Sequence, residues 1–152
     1  MFLRFEMNLR QSDELLYGML SAIDNSDPLN LVTVDRWRAT SGQRTHQTID
    51  NVWTKGKGPL PPSCDIAPVT YRVLSSLAHT SIGECFLIRP DWVVKQNGKL
   101  VERSLFRIHF DGGPPGSAGC PVLNEYDWRS FKAFMAVQPA GYITLEVVYK
   151  SA

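Results

Sequence analysis

A histidine and a cysteine flank a loop built largely of glycine and proline, and these two residues have the clearest capacity for chemistry in the chain. Ten residues separate His109 from Cys120. An unperturbed cysteine thiol is mostly protonated at neutral pH, so a nucleophilic cysteine needs a neighbouring base or imidazolium. The pattern therefore predicts an activated thiol, with Cys120 as the nucleophile and His109 as the base.

The loop between these residues supplies flexible backbone and unshielded amides. The run from Gly112 to Gly116 permits a tight turn that returns the chain to His109, and Gly119 allows close approach of a substrate. Backbone amides beside a thiol commonly form an oxyanion hole. Since Pro121 has no N–H, the donors must come from Cys120 and the residues before it. The catalytic loop and oxyanion hole are therefore assigned to Ser117, Ala118 and Gly119.

Each residue also has a structural interpretation when it is taken alone. A single cysteine is more often a small buried side chain than a nucleophile, and a single histidine more often has a structural role. The combination of the two with intervening glycines and Ser117 favours catalysis. His79 is the reserve candidate for the base, although its polar surroundings favour a solvated or capping role.

His109 followed by Ser117-Ala-Gly-Cys120 resembles the signature of the YkuD-like L,D-transpeptidase catalytic domains. In that signature a histidine and a short loop precede Ser/Thr-His-Gly-Cys, an aliphatic residue and an arginine. The pattern that begins with Ile108-His-Phe-Asp-Gly112 is similar to a divergent variant of the family that includes type VI secretion amidase effectors. The resemblance implies that Cys120 is the nucleophile, that His109 is the base, and that Ser117 and Gly119 shape the loop.

The resemblance also implies a reaction. The thiol attacks a peptide carbonyl next to a D-amino acid in a peptidoglycan stem peptide and forms a thioester. An amine then completes a transpeptidation, or water completes the reaction of a carboxypeptidase or endopeptidase, and the sequence favours neither outcome. No metal or organic cofactor is implied.

The chain departs from the family signature at Ala118 in place of the second histidine, at Pro121 in place of the aliphatic residue, and at Val122 in place of the arginine. The loss of the arginine means that another group must bind the carboxylate of the substrate. Arg107 is assigned to the strand face opposite His109, which makes it a poor substitute. Arg129 and Lys57 are the other cations considered.

Two other functions remain open. The same pair of residues could cleave other peptides as a cysteine amidase, which a comparison of D-centred and all-L peptides would distinguish. A non-catalytic β-rich binding module, such as a phage or cell-surface recognition domain, would instead contain an unreactive, buried Cys120.

Alternating apolar residues predict strands along most of the chain. Residues 15–23 and 31–38 are expected to form an antiparallel hairpin. Further strands are predicted at residues 70–74, 85–89, 92–94, 104–110 and 142–149. Gln96-Asn-Gly98 is typical of a tight turn, so the strand at 104–110 is expected to return from it and to carry His109.

After the cysteine loop the apolar period changes to that of a helix. Asn124 is expected to cap this helix, whose apolar residues recur at helical spacing: Trp128, Phe131, Phe134 and Met135. Short strands followed by one short helix predict a mainly β fold, a β-sandwich or capped barrel, in a single domain of residues 1–152. The resemblance implies the YkuD-like version of that fold.

Composition limits the partners of the chain. Its 152 residues are 43% hydrophobic and 20% charged, as in ordinary globular proteins. Sixteen Lys and Arg residues against fifteen Asp and Glu residues leave a formal charge of +1, which provides no basic surface for nucleic acid. The longest apolar runs are too short to cross a membrane. We expect a monomer whose partner is a peptidoglycan stem peptide, with no nucleic acid and no membrane partner.

The cysteines and the N-terminus bear on location. Cys64, Cys85 and Cys120 cannot all pair within one chain, and their spacing does not indicate a metal site. Cys64 and Cys85 could form a disulfide in an exported protein or remain two thiols. Residues 1–10 are too short and too charged for a signal peptide. If the family resemblance holds, the protein is expected to act at the cell wall or in the periplasm by an export route that the sequence does not indicate.

Overall fold

The computed structural model describes residues 1–62 and 70–151. The strands in these residues are β1 (Phe2–Leu9), β2 (Gly18–Asp24), β3 (Val32–Thr40), β4 (Tyr71–Leu74), β5 (Ala78–Thr80), β6 (Gly83–Arg89), β7 (Trp92–Gln96), β8 (Lys99–Arg103), β9 (Arg107–Phe110), β10 (Val122–Leu123) and β11 (Tyr142–Ser151). The helices are a 3-10 turn at Ile49–Asn51 and α1 (Glu125–Ala136). Strands account for 44% of the described structure and helices for 10%, so the predicted mainly β class with one short helix after the cysteine loop is confirmed.

Nine strands form one sheet that closes on itself. Their order is β4-β11-β1-β2-β3-β10-β9-β6-β5, and β4 also pairs with β6, which completes a barrel of eight strands with β5 at its side. β2 and β3 pair antiparallel, as the predicted hairpin requires. The structure is therefore a closed barrel and not a sandwich.

The barrel interior follows from the period-2 alternation of its strands, because successive side chains point to opposite faces. In β1 the buried residues are Leu3, Phe5, Met7 and Leu9. Leu145 and Val147 of β11 are also fully buried. Each such side chain contributes about 1.5–3 kcal/mol when it leaves water. This interior sets the register of the strands that carry the candidate site.

Helix α1 packs beside the barrel through one aromatic face. Asn124 caps it by accepting a hydrogen bond from the Asp127 N–H at 2.8 Å, as predicted. The Phe131 ring lies 4.9 Å from that of Trp37 and 5.5 Å from that of Phe86, both in edge-to-face geometry. No helix in the described residues has the length and hydropathy that a membrane span requires.

The prediction that the histidine strand returns from the turn at Gln96 is wrong. Asn97 and Gly98 both have positive φ values, 50° and 77°, which suits a two-residue hairpin turn. β7 therefore pairs with β8 in a separate two-stranded sheet. The histidine strand β9 comes later and pairs with β6 on one side and β10 on the other.

Candidate active site

The predicted histidine and cysteine line one groove on the barrel surface, with a volume of about 730 Å³. The groove lies where β9, the loop before β10 and the start of β6 meet. The lining residues that bear on chemistry are Arg107, His109, Asp111, Ser117, Ala118 and Cys120.

Strand register places the thiol next to the histidine strand. His109 aligns with Val122 across the parallel pair of β9 and β10. Cys120 precedes Val122 by two residues and therefore lies beside Arg107, whose backbone N–H donates to the cysteine Sγ at 3.3 Å. Along the backbone, Cys120 therefore lies two strand positions before His109, a rise of about 7 Å.

The Cys120 thiol is protonated in this environment. It donates to the Leu105 carbonyl with an Sγ to oxygen distance of 3.6 Å. Burial raises the pKa of Cys120 above its ordinary value of 9.0, and this exceeds the opposing effects of the Arg107 N–H and the Arg107 charge. The groove therefore holds a neutral thiol and not the resting thiolate of an ion pair.

The carbonyl that accepts this thiol belongs to a residue with an uncommon backbone conformation. Leu105 has a φ of 61°, a region that leucine rarely adopts, and its side chain is 64% exposed at the edge of the groove. Such conformations persist where the surrounding structure enforces them and occur often at functional sites. The strained residue connects β8 to β9 and lies beside the thiol.

One nitrogen of the His109 imidazole has a hydrogen-bond partner, and the other has none within the residues that the structure describes. Its Nδ1 lies 2.9 Å from the Phe110 carbonyl oxygen. A carbonyl only accepts, so Nδ1 carries the hydrogen and Nε2 carries the lone pair. Burial lowers the pKa of His109 below its ordinary value of 6.5, against smaller opposing effects of the Phe110 carbonyl and Asp111. His109 is therefore a neutral base at neutral pH.

The described residues contain no hydrogen bond between the His109 imidazole and the Cys120 thiol. Contacts between catalytic groups are often long in unliganded proteins and tighten when substrate binds.

Ser117 organises the cysteine loop. Its Oγ donates to the Cys120 carbonyl and accepts from the N–H groups of Gly42 and Gly119, each at 3.2 Å. Its own N–H donates to the Gly42 carbonyl at 3.0 Å. The side chain therefore holds the loop in shape and ties it to the end of β3.

The proposed oxyanion donors differ in availability. The amides of Ser117 and Gly119 are occupied by Gly42 and by the Ser117 hydroxyl. In the part of the chain that the structure describes, the amides of Ala118 and Cys120 donate no hydrogen bond, and both residues line the groove. These two amides are the remaining candidates for an oxyanion hole.

Gly119 faces the interior and not the substrate. Its φ is 129°, and a Cβ at this position would lie 2.8 Å from the Arg103 guanidinium and 2.9 Å from the Phe106 ring. The close approach that was expected of this glycine is therefore to the buried side of the loop.

Sequence reasoning missed the residues that support the loop from behind. Ser41 donates to the Gly119 carbonyl at 2.6 Å and accepts the Leu60 N–H at 2.8 Å. Gln47 donates to the Ser41 carbonyl at 3.0 Å and to the Thr40 hydroxyl at 2.8 Å. Isolated serine and glutamine residues are common at surfaces, so their types alone do not indicate this buried network.

Among the residues that sequence reasoning missed, Arg103 makes the largest contribution to the support of the loop. Its guanidinium donates to four backbone carbonyls: Val52 at 3.2 Å, Gly58 at 2.9 Å, Pro59 at 2.9 Å and Ala118 at 3.0 Å. The residue is only 2% exposed, and burial lowers the pKa of Arg103. It connects the loop of residues 52–59 to the peptide plane that precedes Gly119.

The cations considered for carboxylate binding also differ from expectation. Arg107 lies on the same strand face as His109, because only Ile108 stands between them, and both line the groove. The assignment of Arg107 to the opposite face is wrong. Arg129 forms an ion pair with Glu125 on the exposed surface of α1, and Lys57 does not line the groove.

Two further assignments concern cysteines and metals. Cys64, the possible disulfide partner of Cys85, lies outside the described residues. Cys85 is fully buried in β6 opposite His109. Within residues 1–62 and 70–151, no cluster of three or more His, Cys, Asp or Glu side chains could hold a metal ion.

No protein-family model matches the chain, and no curated protein or solved structure matches it. The groove contains a thiol, a neutral imidazole and two backbone amides, and neither the imidazole Nε2 nor the two amides have a hydrogen-bond partner among residues 1–62 and 70–151. Acyl transfer requires a nucleophile, a base and oxyanion donors, and groups of these chemical types lie together in the groove.

Proposed function

We propose that the protein is a cysteine-dependent acyltransferase or hydrolase that acts on peptidoglycan stem peptides, with a fold of the YkuD-like L,D-transpeptidase type. The observation that carries this proposal is the presence, in one groove, of the Cys120 thiol, the His109 Nε2 and the amides of Ala118 and Cys120, none of these nitrogens having a hydrogen-bond partner in the described part of the chain. The substrate class comes from the resemblance of the cysteine loop to that family.

The first half-reaction forms a thioester. Substrate binding brings His109 Nε2 to the thiol, and the nitrogen takes the thiol proton as sulfur attacks the peptide carbonyl carbon. The carbon–sulfur bond forms, and the amides of Ala118 and Cys120 hold the developing oxyanion. The imidazolium then gives its proton to the leaving amine as the carbon–nitrogen bond breaks.

The second half-reaction restores the thiol. An acceptor amine or a water molecule approaches the thioester. His109 removes a proton from this amine or water. The new bond to the carbonyl carbon forms, the carbon–sulfur bond breaks, and the proton returns to sulfur. An amine acceptor gives a cross-linked stem and water gives a trimmed one.

A non-catalytic binding module is the second candidate. The observations that favour it are the raised pKa of Cys120 and the lack of a hydrogen bond between the thiol and His109 in the described residues. In that case the groove would bind a ligand, and Cys120 would form no covalent intermediate.

Mass spectrometry of the products and of the intact protein tests the proposal. Wild type and Cys120→Ala are incubated with purified sacculi and with tetrapeptide muropeptides. We expect trimmed or cross-linked stems and an acyl adduct on the wild type, and neither with Cys120→Ala. Cys85→Ala is the matched control, since it removes the cysteine opposite His109 and should retain the adduct.

Unchanged muropeptides and an unmodified protein would contradict the acyl-transfer proposal and favour the binding module. Equal cleavage of an all-L peptide and its D-centred counterpart would favour a general cysteine amidase. An adduct that persists in Cys120→Ala would assign the nucleophile to another residue.

A further inference from the structure

Ser41 is a fully buried serine directly after β3 whose hydroxyl reaches the peptide unit of the nucleophile. Its Oγ donates to the Gly119 carbonyl at 2.6 Å and accepts the Leu60 N–H at 2.8 Å. Because a backbone N–H can only donate, Leu60 occupies a lone pair of the hydroxyl and leaves its single hydrogen to the Gly119 carbonyl. The fold therefore fixes the direction in which Ser41 donates.

The Gly119 carbonyl and the Cys120 N–H belong to one peptide unit. That unit is planar and trans, so its carbonyl and its N–H point in opposite directions. Ser41 holds the carbonyl on the buried side of the cysteine loop. The N–H is consequently directed to the other side, where Cys120 lines the groove. Within residues 1–62 and 70–151 this N–H donates no hydrogen bond.

A glycine makes the orientation of this peptide unit depend on the hydrogen bond from Ser41. Gly119 has a φ of 129°, a value that glycine adopts without the penalty of a Cβ. Rotation about its ψ would move the carbonyl away from the buried side and turn the Cys120 N–H out of the groove. Loss of the Ser41 hydroxyl should therefore release the orientation of the donor.

The two neighbouring peptide units are held by other side chains. Arg103 donates to the Ala118 carbonyl at 3.0 Å, and the Ser117 hydroxyl donates to the Cys120 carbonyl. Ser41 binds the unit between them. Its removal should therefore affect the Cys120 N–H more than the rest of the loop.

We propose that Ser41 is a positioning residue that directs the Cys120 N–H into the groove as an oxyanion donor. Its hydrogen bond to the Gly119 carbonyl also polarises the amide, which makes the N–H a stronger donor. Negative charge develops on the substrate oxygen only as sulfur attacks, so Ser41 should act on kcat more than on KM. This inference rests on the proposed acyl-transfer function of the same groove.

Steady-state kinetics of Ser41→Ala and Thr40→Val separate positioning from stability. Thr40 is the matched control, because it is also fully buried and its hydroxyl donates to a backbone carbonyl, that of Leu16, at 2.6 Å. Both variants lose a buried hydroxyl and should lower the thermal unfolding temperature to a similar extent. We expect only Ser41→Ala to lower kcat, by roughly 10- to 100-fold with KM changed less than about threefold. Equal kcat values in the two variants would overturn the inference.

Ser41→Cys weakens the same hydrogen bond without deleting the side chain. A thiol donates more weakly than a hydroxyl, so kcat should lie between the values of wild type and Ser41→Ala. If Ser41→Ala does not fold, Ser41→Cys takes its place in the comparison with Thr40→Val. A wild-type kcat in Ser41→Cys would then overturn the inference.

Residual dipolar couplings measured by NMR report the directions of N–H bonds without turnover. In weakly aligned Ser41→Ala, the Cys120 N–H coupling should differ from that of wild type or average toward zero. The Gly119 N–H donates to the Ser117 hydroxyl and should keep its coupling.

The couplings also separate failure of the inference from failure of the proposed function. If wild type forms no acyl adduct, the proposed function fails, yet a changed Cys120 coupling in Ser41→Ala would still support the positioning of this N–H by Ser41. An unchanged Cys120 coupling would overturn the inference and leave acyl transfer intact.

Discussion

Arg103 and Arg107 lie four residues apart in the chain and have opposite environments. Arg103 is 2% exposed and donates to four backbone carbonyls. Arg107 lines the open groove, and within the described residues its guanidinium forms a single hydrogen bond, a long one to Thr80. One arginine has its donors satisfied by the fold, whereas the other has donors left for a ligand.

The difference extends to the two sides of the cysteine loop. Behind the loop, Arg103, Ser41 and Ser117 bind backbone carbonyls and amides, so this side fixes its shape. On the groove side, His109 Nε2 and the Cys120 amide have no partner in the described structure. Residues behind the loop should therefore affect stability, and residues in the groove should affect turnover.

The largest expected effect comes from Arg103→Met compared with Arg107→Met. Removal of the Arg103 guanidinium leaves four carbonyls without their donor, and buried unsatisfied groups cost about 1–3 kcal/mol each, offset by loss of the desolvation penalty of the charge. We expect the free energy of unfolding to fall by about 3–5 kcal/mol in Arg103→Met and to change by no more than about 0.5 kcal/mol in Arg107→Met. Urea denaturation at equilibrium measures both values.

If the two variants lost the same stability, the contrast between the arginines would fail. A fully stable Arg103→Met would mean that the hydrophobic replacement compensates for the lost hydrogen bonds.

A smaller effect is expected for Ser117→Ala. Ser117 connects the two sides of the cysteine loop. The substitution removes one donor and two acceptor contacts, worth about 1–3 kcal/mol of stability in total. The Cys120 peptide plane would also be less constrained, so kcat should fall roughly 10- to 100-fold with less change in KM. Denaturation and steady-state kinetics on the same preparation measure both.

Ser75→Ala is the matched control, because Ser75 is a partly exposed serine whose hydroxyl forms one hydrogen bond, to the Gly141 carbonyl. It should change stability by less than about 0.5 kcal/mol. A normal kcat for Ser117→Ala would assign the serine a purely structural role.

The smallest expected effects are on the pH dependence of kcat/KM and of Cys120 alkylation. A lowered His109 pKa means that the imidazole stays neutral until the pH falls below its ordinary 6.5, so the acid limb of kcat/KM should lie below that value. A raised Cys120 pKa means that the thiol keeps its proton beyond 9.0, so iodoacetamide should modify it slowly at neutral pH and faster only above 9.0.

Rates of turnover and of alkylation between pH 5 and 10 measure the acid limb of kcat/KM and the pH profile of Cys120 modification. His109→Gln should remove the acid limb and leave the alkylation profile little changed. Rapid alkylation of wild type at pH 6 would instead indicate a thiolate–imidazolium pair and would contradict the neutral pair described here.

Local patterns in the sequence predicted the elements whose partners are close in the chain. The β2–β3 hairpin follows from a turn between two alternating segments, and α1 follows from its cap at Asn124 and its aromatic period. The pairing of β9 was predicted incorrectly, because the turn at Asn97 and Gly98 closes on β8 and leaves β9 to more distant strands. The residues of a local turn do not determine how β9 pairs with strands that are distant in the chain.

The sequence by itself determined the chemical types in the candidate site and the mainly β class. A thiol and an imidazole on either side of a glycine-rich loop are visible without coordinates, as is the alternation that builds a barrel. The tertiary structure decided which cation faces the groove and which is buried, because that depends on strands joined across the barrel. It also decided the protonation of Cys120 and His109, since burial by distant residues shifts both pKa values.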